Sequence, residues 1–148
     1  YYREKNSSIF NELINLYIKH GFYKEKLISI IKKGKSGKDE ISKIIEKYRK
    51  NHPKSIGDSN LRFFSDYYHS QRLDIENKKI KKINLPKSNV IEFETVNGYK
   101  LILRPSGTEP KIKMYISVNA FLESKDMYDE VNGILEKKIS QIIDEINI

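Results

Sequence analysis

An α+β domain, with a mainly antiparallel sheet and helices packed on one face, follows from three observations. Two strand-like runs, 90–96 and 99–104, flank Asn97-Gly98, a pair that favours a tight hairpin. A third run after residue 110 alternates apolar and polar side chains, as a half-buried strand does. Three other segments repeat their apolar residues at helical spacing. Short turns between strands make the pairing antiparallel, and the helices need a sheet face to cover.

The first helix spans residues 8–20. It places Phe10, Leu13, Ile14 and Tyr17 at i, i+3, i+4 and i+7, with Ser7 or Ser8 as its cap and Gly21 at its end. Lys26–Ile31 is short, rich in β-branched residues and followed by Gly34 and Gly37, which predicts a strand running into a loop. A second helix extends over 38–50, with Ile41, Ile44, Ile45 and Tyr48 on one face. Asp39 and Glu40 sit at its positive end and Arg49 and Lys50 at its negative end. Asn51 and Pro53 stop it.

Residues 54–88 read as one strand near 60–66, followed by a loop in which Tyr67, Tyr68 and His69 precede the solvated run Lys78–Lys82. With a two-residue type I′ turn at Asn97-Gly98, Val96 faces Tyr99, Glu94 faces Leu101 and Glu92 faces Leu103. In the next strand Ile112, Met114, Ile116 and Val118 form the buried face, and Lys111 and Lys113 fall on the polar face at the loop end. Ser124 caps a final helix with the apolar stripe Val131, Ile134, Leu135, Ile142 and Ile146.

The 148 residues can bury one core. The chain opens on Tyr1 with no signal-like apolar run, which reads as a piece of a longer protein. There is no cysteine for disulfides or thiolate metal sites, a composition that suits the reducing cytoplasm. No apolar run is long enough to span a membrane. The net charge of +8, from 28 Lys and Arg against 20 Asp and Glu, admits nucleic acid, anionic membrane or phosphorylated ligands as partners. Most of that charge is lysine interleaved with acidic residues, the pattern of solvated helix faces.

One segment departs from that pattern. Between the last two strands, Arg104 Pro105 Ser106 Gly107 Thr108 Glu109 Pro110 Lys111 gathers an Arg, a Ser, a Thr, a Gly and a Lys, with Lys113 just beyond and only Glu109 opposing. A glycine in a tight turn lets backbone amides face an anion, the hydroxyls donate, and the cations form charge-assisted bonds. A phosphate monoester, with about −1.5 to −2 charge and three strong acceptor oxygens, matches such a donor set. Glu109 must turn aside, pairing with a neighbouring cation or accepting loop amides. Ser106 as a nucleophile needs a base, and His20, His52 and His69 lie in unrelated segments. No Walker loop and no His or Asp cluster of metal-ligand spacing is present.

The loop RPSGTEPK, with LPKSNVIEF before it and IKMYISV after it, closely resembles the C-terminal phosphate-binding domain of the α-D-phosphohexomutases, the phosphoglucomutase and phosphomannomutase enzymes. The opening segment to Tyr23 resembles the last helix of the preceding domain, and the segment that follows resembles the first strand and helix of the final one. The resemblance thus implies residues 1–22 as the end of a third domain and 23–148 as a C-terminal domain of TATA-binding-protein-like fold. It also implies a four-domain enzyme interconverting hexose 1-phosphate and 6-phosphate through a phosphoserine and a glucose 1,6-bisphosphate-type intermediate, assisted by Mg²⁺ bound outside this chain. Arg104, Ser106, Gly107, Thr108, Lys111 and Lys113 would then hold the non-reacting substrate phosphate. The phosphoserine, Mg²⁺ and sugar-reading segments would all lie upstream, in domains that are this one's partners, and the piece alone would be inactive. A rival reading is a basic nucleic-acid-binding module that uses the lysine excess with Phe63, Phe64, Tyr67 and Tyr68.

Overall fold

A computed structural model describes residues 8–34, 36–146 and 148. Ser7, one of the two cap candidates, lies outside the described residues. The fold is α+β. The elements run α1 (Ile9–His20), β1 (Phe22–Ile31), α2 (Gly37–Lys50), β2 (Ser55–Ile56), β3 (Ser59–Asp66), β4 (Gln71–Asp74), β5 (Lys79–Lys82), β6 (Ile91–Thr95), β7 (Lys100–Pro105), β8 (Lys111–Ala120), a 3-10 turn (Lys125–Met127) and α3 (Tyr128–Glu145). The strands make one sheet in the order β1-β8-β7-β6-β3-β4-β5, with β2 paired to β3, and every pairing is antiparallel.

One sheet face is covered. Ile112, Met114, Ile116 and Val118 of β8, Leu101 and Leu103 of β7, and Ile91 and Phe93 of β6 are buried there with Ile41, Ile45 and Tyr48 of α2 and Val131, Leu135, Ile139 and Ile142 of α3. The alternation in β8 works as expected, and it leaves Lys111, Lys113, Tyr115 and Ser117 on the open face. Helix α1 is capped by Ser8, whose side chain accepts from the Asn11 amide at 3.1 Å, and ends at Gly21 with φ 93°. It buries only Ile14 fully, while Tyr17, Phe22 and Tyr128 stack in sequence. Phe10 and Leu13, expected on the buried stripe, remain substantially exposed.

Several boundaries and one register differ from the sequence reading. Strand β1 starts at Phe22, because it pairs with β8 along its whole length, from Phe22↔Ala120 to Ile31↔Lys111. Residues 54–88 hold β2, β4 and β5 in addition to β3, so the lysine run is an edge strand and not a loop. Its four residues are all exposed, and an edge strand open on both faces has no alternation to reveal it. Ser124 precedes a 3-10 turn and makes no side-chain cap; Ile134 points outward, and Ile139 takes its place in the stripe of α3.

The hairpin between β6 and β7 is the main correction. Thr95, not Val96, closes it: the Gly98 amide donates to the Thr95 carbonyl at 3.0 Å, and Thr95 N–H donates to the Tyr99 carbonyl at 3.0 Å. Gly98 has φ 79°, whereas Asn97 does not adopt positive φ, so the loop has three residues with glycine at the left-handed position and is not a type I′ turn. The register becomes Phe93↔Leu101 and Ile91↔Leu103, with Glu94↔Lys100 on the other face. A one-residue slip would set glutamates against leucines in the core; apolar pairing outweighs the local preference of Asn-Gly.

Candidate anion-binding site

The segment singled out in the sequence joins β7 to β8 at one end of the sheet. Burial of Leu103 and Met114 on the helix side turns their neighbours Arg104 and Lys113 to the open face, where the register sets them directly opposite each other. Like charges in opposed positions destabilise a sheet unless something neutralises them. Among the described residues, no carboxylate lies within ion-pair distance of either. The other described arginines are all engaged: Arg49 with Asp66 and Glu46, Arg72 with Glu94, and Arg62 over the Phe63 ring.

Between them the loop is held by few bonds. Ser106 N–H donates to the Lys111 carbonyl at 2.8 Å, Lys111 N–H to the Glu109 carbonyl at 2.8 Å, and Glu109 N–H to Ser106 Oγ at 3.3 Å. The adjacent amides of Gly107 and Thr108 have no protein acceptor among the described residues, and the Ser106 hydroxyl keeps its own proton to donate. Gly107 departs from expectation. Its φ is not positive, and a Cβ built on it would meet nothing within 4 Å. Neither the backbone nor packing requires glycine here, which leaves close approach of a ligand as the property that a side chain would remove.

Glu109 turns to Lys111 at 2.6 Å, one of the two outcomes expected for it. That hydrogen bond, followed by the charges of Lys111 and Lys113, holds its carboxyl below the usual carboxylate range. Lys111 is therefore already neutralised, and Lys113 is the freer lysine. Thr108 is exposed at the loop tip and Ser106 half-buried at its base. The loop is anchored on its other side by the β1–α2 junction, where Lys32 N–H donates to the Pro110 carbonyl at 2.9 Å. Gly37 is buried beside Pro110: an added Cβ would run into the Lys32 carbonyl and lie 3.1 Å from Pro110 Cβ. Sequence reasoning missed this junction, although Lys32, Lys33, Gly34, Ser36 and Gly37 repeat the Lys, Gly and Ser content that drew attention to residues 104–111.

The remaining candidates separate. Ser106 has no histidine as a hydrogen-bond partner: His69 Nδ1 pairs with Asp66 Oδ2 at 2.5 Å, and His52 packs on Phe64. Among the described residues no three His, Asp or Glu side chains cluster as metal ligands, and no helix is long and apolar enough to cross a membrane. The four aromatics proposed as a stacking surface do not share a face. Phe64 is in the core against Phe93, Phe63 lies under two guanidinium groups, and the Tyr67 hydroxyl donates to Glu92 at 2.9 Å.

No family model matches the chain. Among curated proteins it is similar to the phosphoglucomutase of Staphylococcus aureus strain USA300, 38% identical over 125 residues that make up 84% of this chain and 22% of that protein. It is also similar to the phosphoglucomutase of Staphylococcus saprophyticus, 35% identical over 116 residues, 78% of this chain and 21% of that protein. A solved structure, the open form of the Paramecium exocytosis-sensitive phosphoprotein pp63/parafusin, a phosphoglucomutase, aligns with TM-score 0.44 and 12% identity, covering 98% of this chain and 24% of that one. The chain spans about a fifth of the length of the curated relatives it matches. On this sequence similarity the chain belongs to the phosphohexomutase family that includes those phosphoglucomutases.

Proposed function

We propose that the chain is the C-terminal domain of a phosphohexomutase and clamps the substrate phosphate that is not reacting. The observation that carries this reading is the opposed pair Arg104 and Lys113, two cations without a carboxylate beside a loop with two unbonded amides and a donating hydroxyl. A phosphate between them would relieve the like-charge contact and accept from Ser106, Gly107 and Thr108, with Lys111 contributing once it releases Glu109. Contacts to phosphate alone would let the site take either end of a hexose bisphosphate.

In the whole enzyme the activity would be interconversion of hexose 1-phosphate and 6-phosphate through an upstream phosphoserine, in the cytoplasm. On this reading Mg²⁺ is held upstream, where it would supply charge neutralisation for phosphoryl transfer. This domain's part is positioning: binding energy at the remote phosphate orients the reacting end. The exposed Ile9, Phe10, Leu13 and Leu16 on α1 fit a helix that closes a preceding domain ending near residue 22, with 23–148 as the phosphate-binding domain.

The test is an amide NMR titration with glucose 1,6-bisphosphate and, separately, a single-stranded oligonucleotide. Shifts at Ser106, Gly107 and Thr108 with the sugar bisphosphate are expected. An oligonucleotide that moves Tyr67 and Tyr68 while the bisphosphate leaves the loop untouched would overturn the assignment. In the intact enzyme, Arg104→Ala is expected to lower kcat/KM without abolishing serine phosphorylation.

A further inference from the structure

The sheet has two open edges, and they are built differently. Strand β5 is four exposed residues, three of them lysine, a short charged edge of the kind that resists pairing. Strand β1 at the other end is 10 residues long, runs beside β8 with no break in register, and contains no proline. Just past its end the Lys32 amide donates to the Pro110 carbonyl, at the position that follows the Ile31↔Lys111 pair. Antiparallel strands alternate bonded and non-bonded pairs, so the even-numbered residues of β1 bond to β8 and the odd-numbered ones turn their amides and carbonyls outward. Tyr23, Glu25, Leu27, Ser29 and Ile31 are those residues, and all five are exposed. Among the described residues no strand pairs with that edge.

We propose that this edge pairs with β1 of a second copy of the chain, antiparallel and centred on Leu27, so that the two sheets continue into one across a twofold axis. With Leu27 opposite Leu27, Tyr23 lies opposite Ile31 and Glu25 opposite Ser29 of the other copy, and every outward amide and carbonyl of the strand finds a partner. The apolar side chains that β1 leaves on the open face, Tyr23, Leu27 and Ile31 at 56%, 51% and 65% exposure, then form one row across the join. The Ser29 hydroxyl can donate to Glu25, and on the helix face the stem of Lys26 lies over half-buried Ile28. Other centres lose this match. Moving the centre to Lys26 or Glu25 sets like charges against each other, and moving it to Ile28 opposes Lys24 to Lys32. A strand that fits itself in one register, with no like charges opposed, points to a second copy as the occupant, and such a self-complementary contact closes at a dimer. The inference does not rest on the phosphate-clamp reading.

Sedimentation velocity on the 148-residue chain should show its mass doubling as concentration rises. Leu27→Lys, which puts two lysines on the axis, should raise the dimer dissociation constant roughly tenfold or more. Leu16→Lys, on the exposed face of α1, should leave it unchanged. The chain has no cysteine, so Leu27→Cys introduces a single thiol, and paired Cα atoms about 5.5 Å apart suit a disulfide. Oxidation with diamide should cross-link Leu27→Cys and not Ser29→Cys, whose two copies do not face each other in this register. A chain that stays monomeric at roughly 0.5 mM overturns the proposal and leaves the edge to another segment of a longer protein. So does a dimer dissolved by Leu16→Lys and not by Leu27→Lys, which would put the contact on α1. Equal cross-linking of both cysteine variants would overturn the pairing centred on Leu27.

Discussion

Two arginines near the same end of the sheet live in opposite circumstances. Arg49, from α2, donates through Nε to Asp66 at 3.1 Å, pairs with Glu46 and reaches Asn89 Oδ1 at 2.8 Å, and Asp66 also takes His69 Nδ1 and the Tyr68 amide. Both partners are nearly buried, with side chains 10% and 7% exposed. Next to them Tyr67 donates to Glu92, and burial, reinforced by that carboxylate, pushes its phenol up to about 12. Arg104 has none of this; its cross-strand neighbour is another cation. Satisfied charges tie α2 to β3 and to the turn after it, while those opposed at β7 and β8 have no carboxylate partner among the described residues and, on the proposed reading, receive an anion. Charge content alone would not have told these regions apart; the pairing does.

The largest expected effect lies in the satisfied cluster. Asp66→Ala removes Arg49's buried carboxylate partner, leaving Glu46 and Asn89, and should cost about 1–3 kcal/mol in denaturant unfolding, with phosphate affinity at Ser106–Thr108 unchanged. Affinity loss matching the stability loss would erase the contrast. In the clamp, Lys113→Ala should weaken inorganic phosphate roughly tenfold, in keeping with one lost charge-assisted bond, and leave the unfolding midpoint nearly unmoved.

Glu109→Gln should strengthen phosphate binding a fewfold at neutral pH, because it frees Lys111 and removes the opposing charge. Titration should mimic it only in acid. The folded carboxyl is depressed, chiefly by its bond to Lys111, so its pairing is present above the unfolded value and is lost as pH falls through the lower folded one. An effect of the same size near neutrality would contradict that assignment. Gly107→Ala is the smallest change. With ordinary φ and nothing near its Cβ, it should leave stability within about 0.5 kcal/mol yet weaken phosphate, as isothermal titration would show; a stability loss above that would mean that the fold needs this glycine.

Much of this contrast was legible in the sequence. The alternation of β8 and the stripe of α2 rest on local pattern, and both hold; the donor density of 104–111 is likewise visible in the sequence itself. The hairpin register was not legible from Asn97-Gly98, since it depends on which β7 residues meet Ile91 and Phe93 in the core. Strand β5 escaped because its lysines are exposed on both faces and Ile80 is its one apolar residue. The Gly37–Pro110 contact joins residues far apart in the chain, and only the pairing of β1 with β8 brings them together. The opposition of Arg104 and Lys113 was half legible: alternation placed Lys113 on the polar face, but its partner across the strand required the register.

Thermal unfolding of the chain and its Arg104→Ala variant, each with and without saturating inorganic phosphate, tests most directly whether those cations await an anion. Without phosphate the variant should be at least as stable as the parent, because a like-charge contact is gone. With phosphate the order should reverse, since only the parent gains binding energy. A variant that is already less stable without phosphate, or a parent whose Tm phosphate does not raise, would contradict the account.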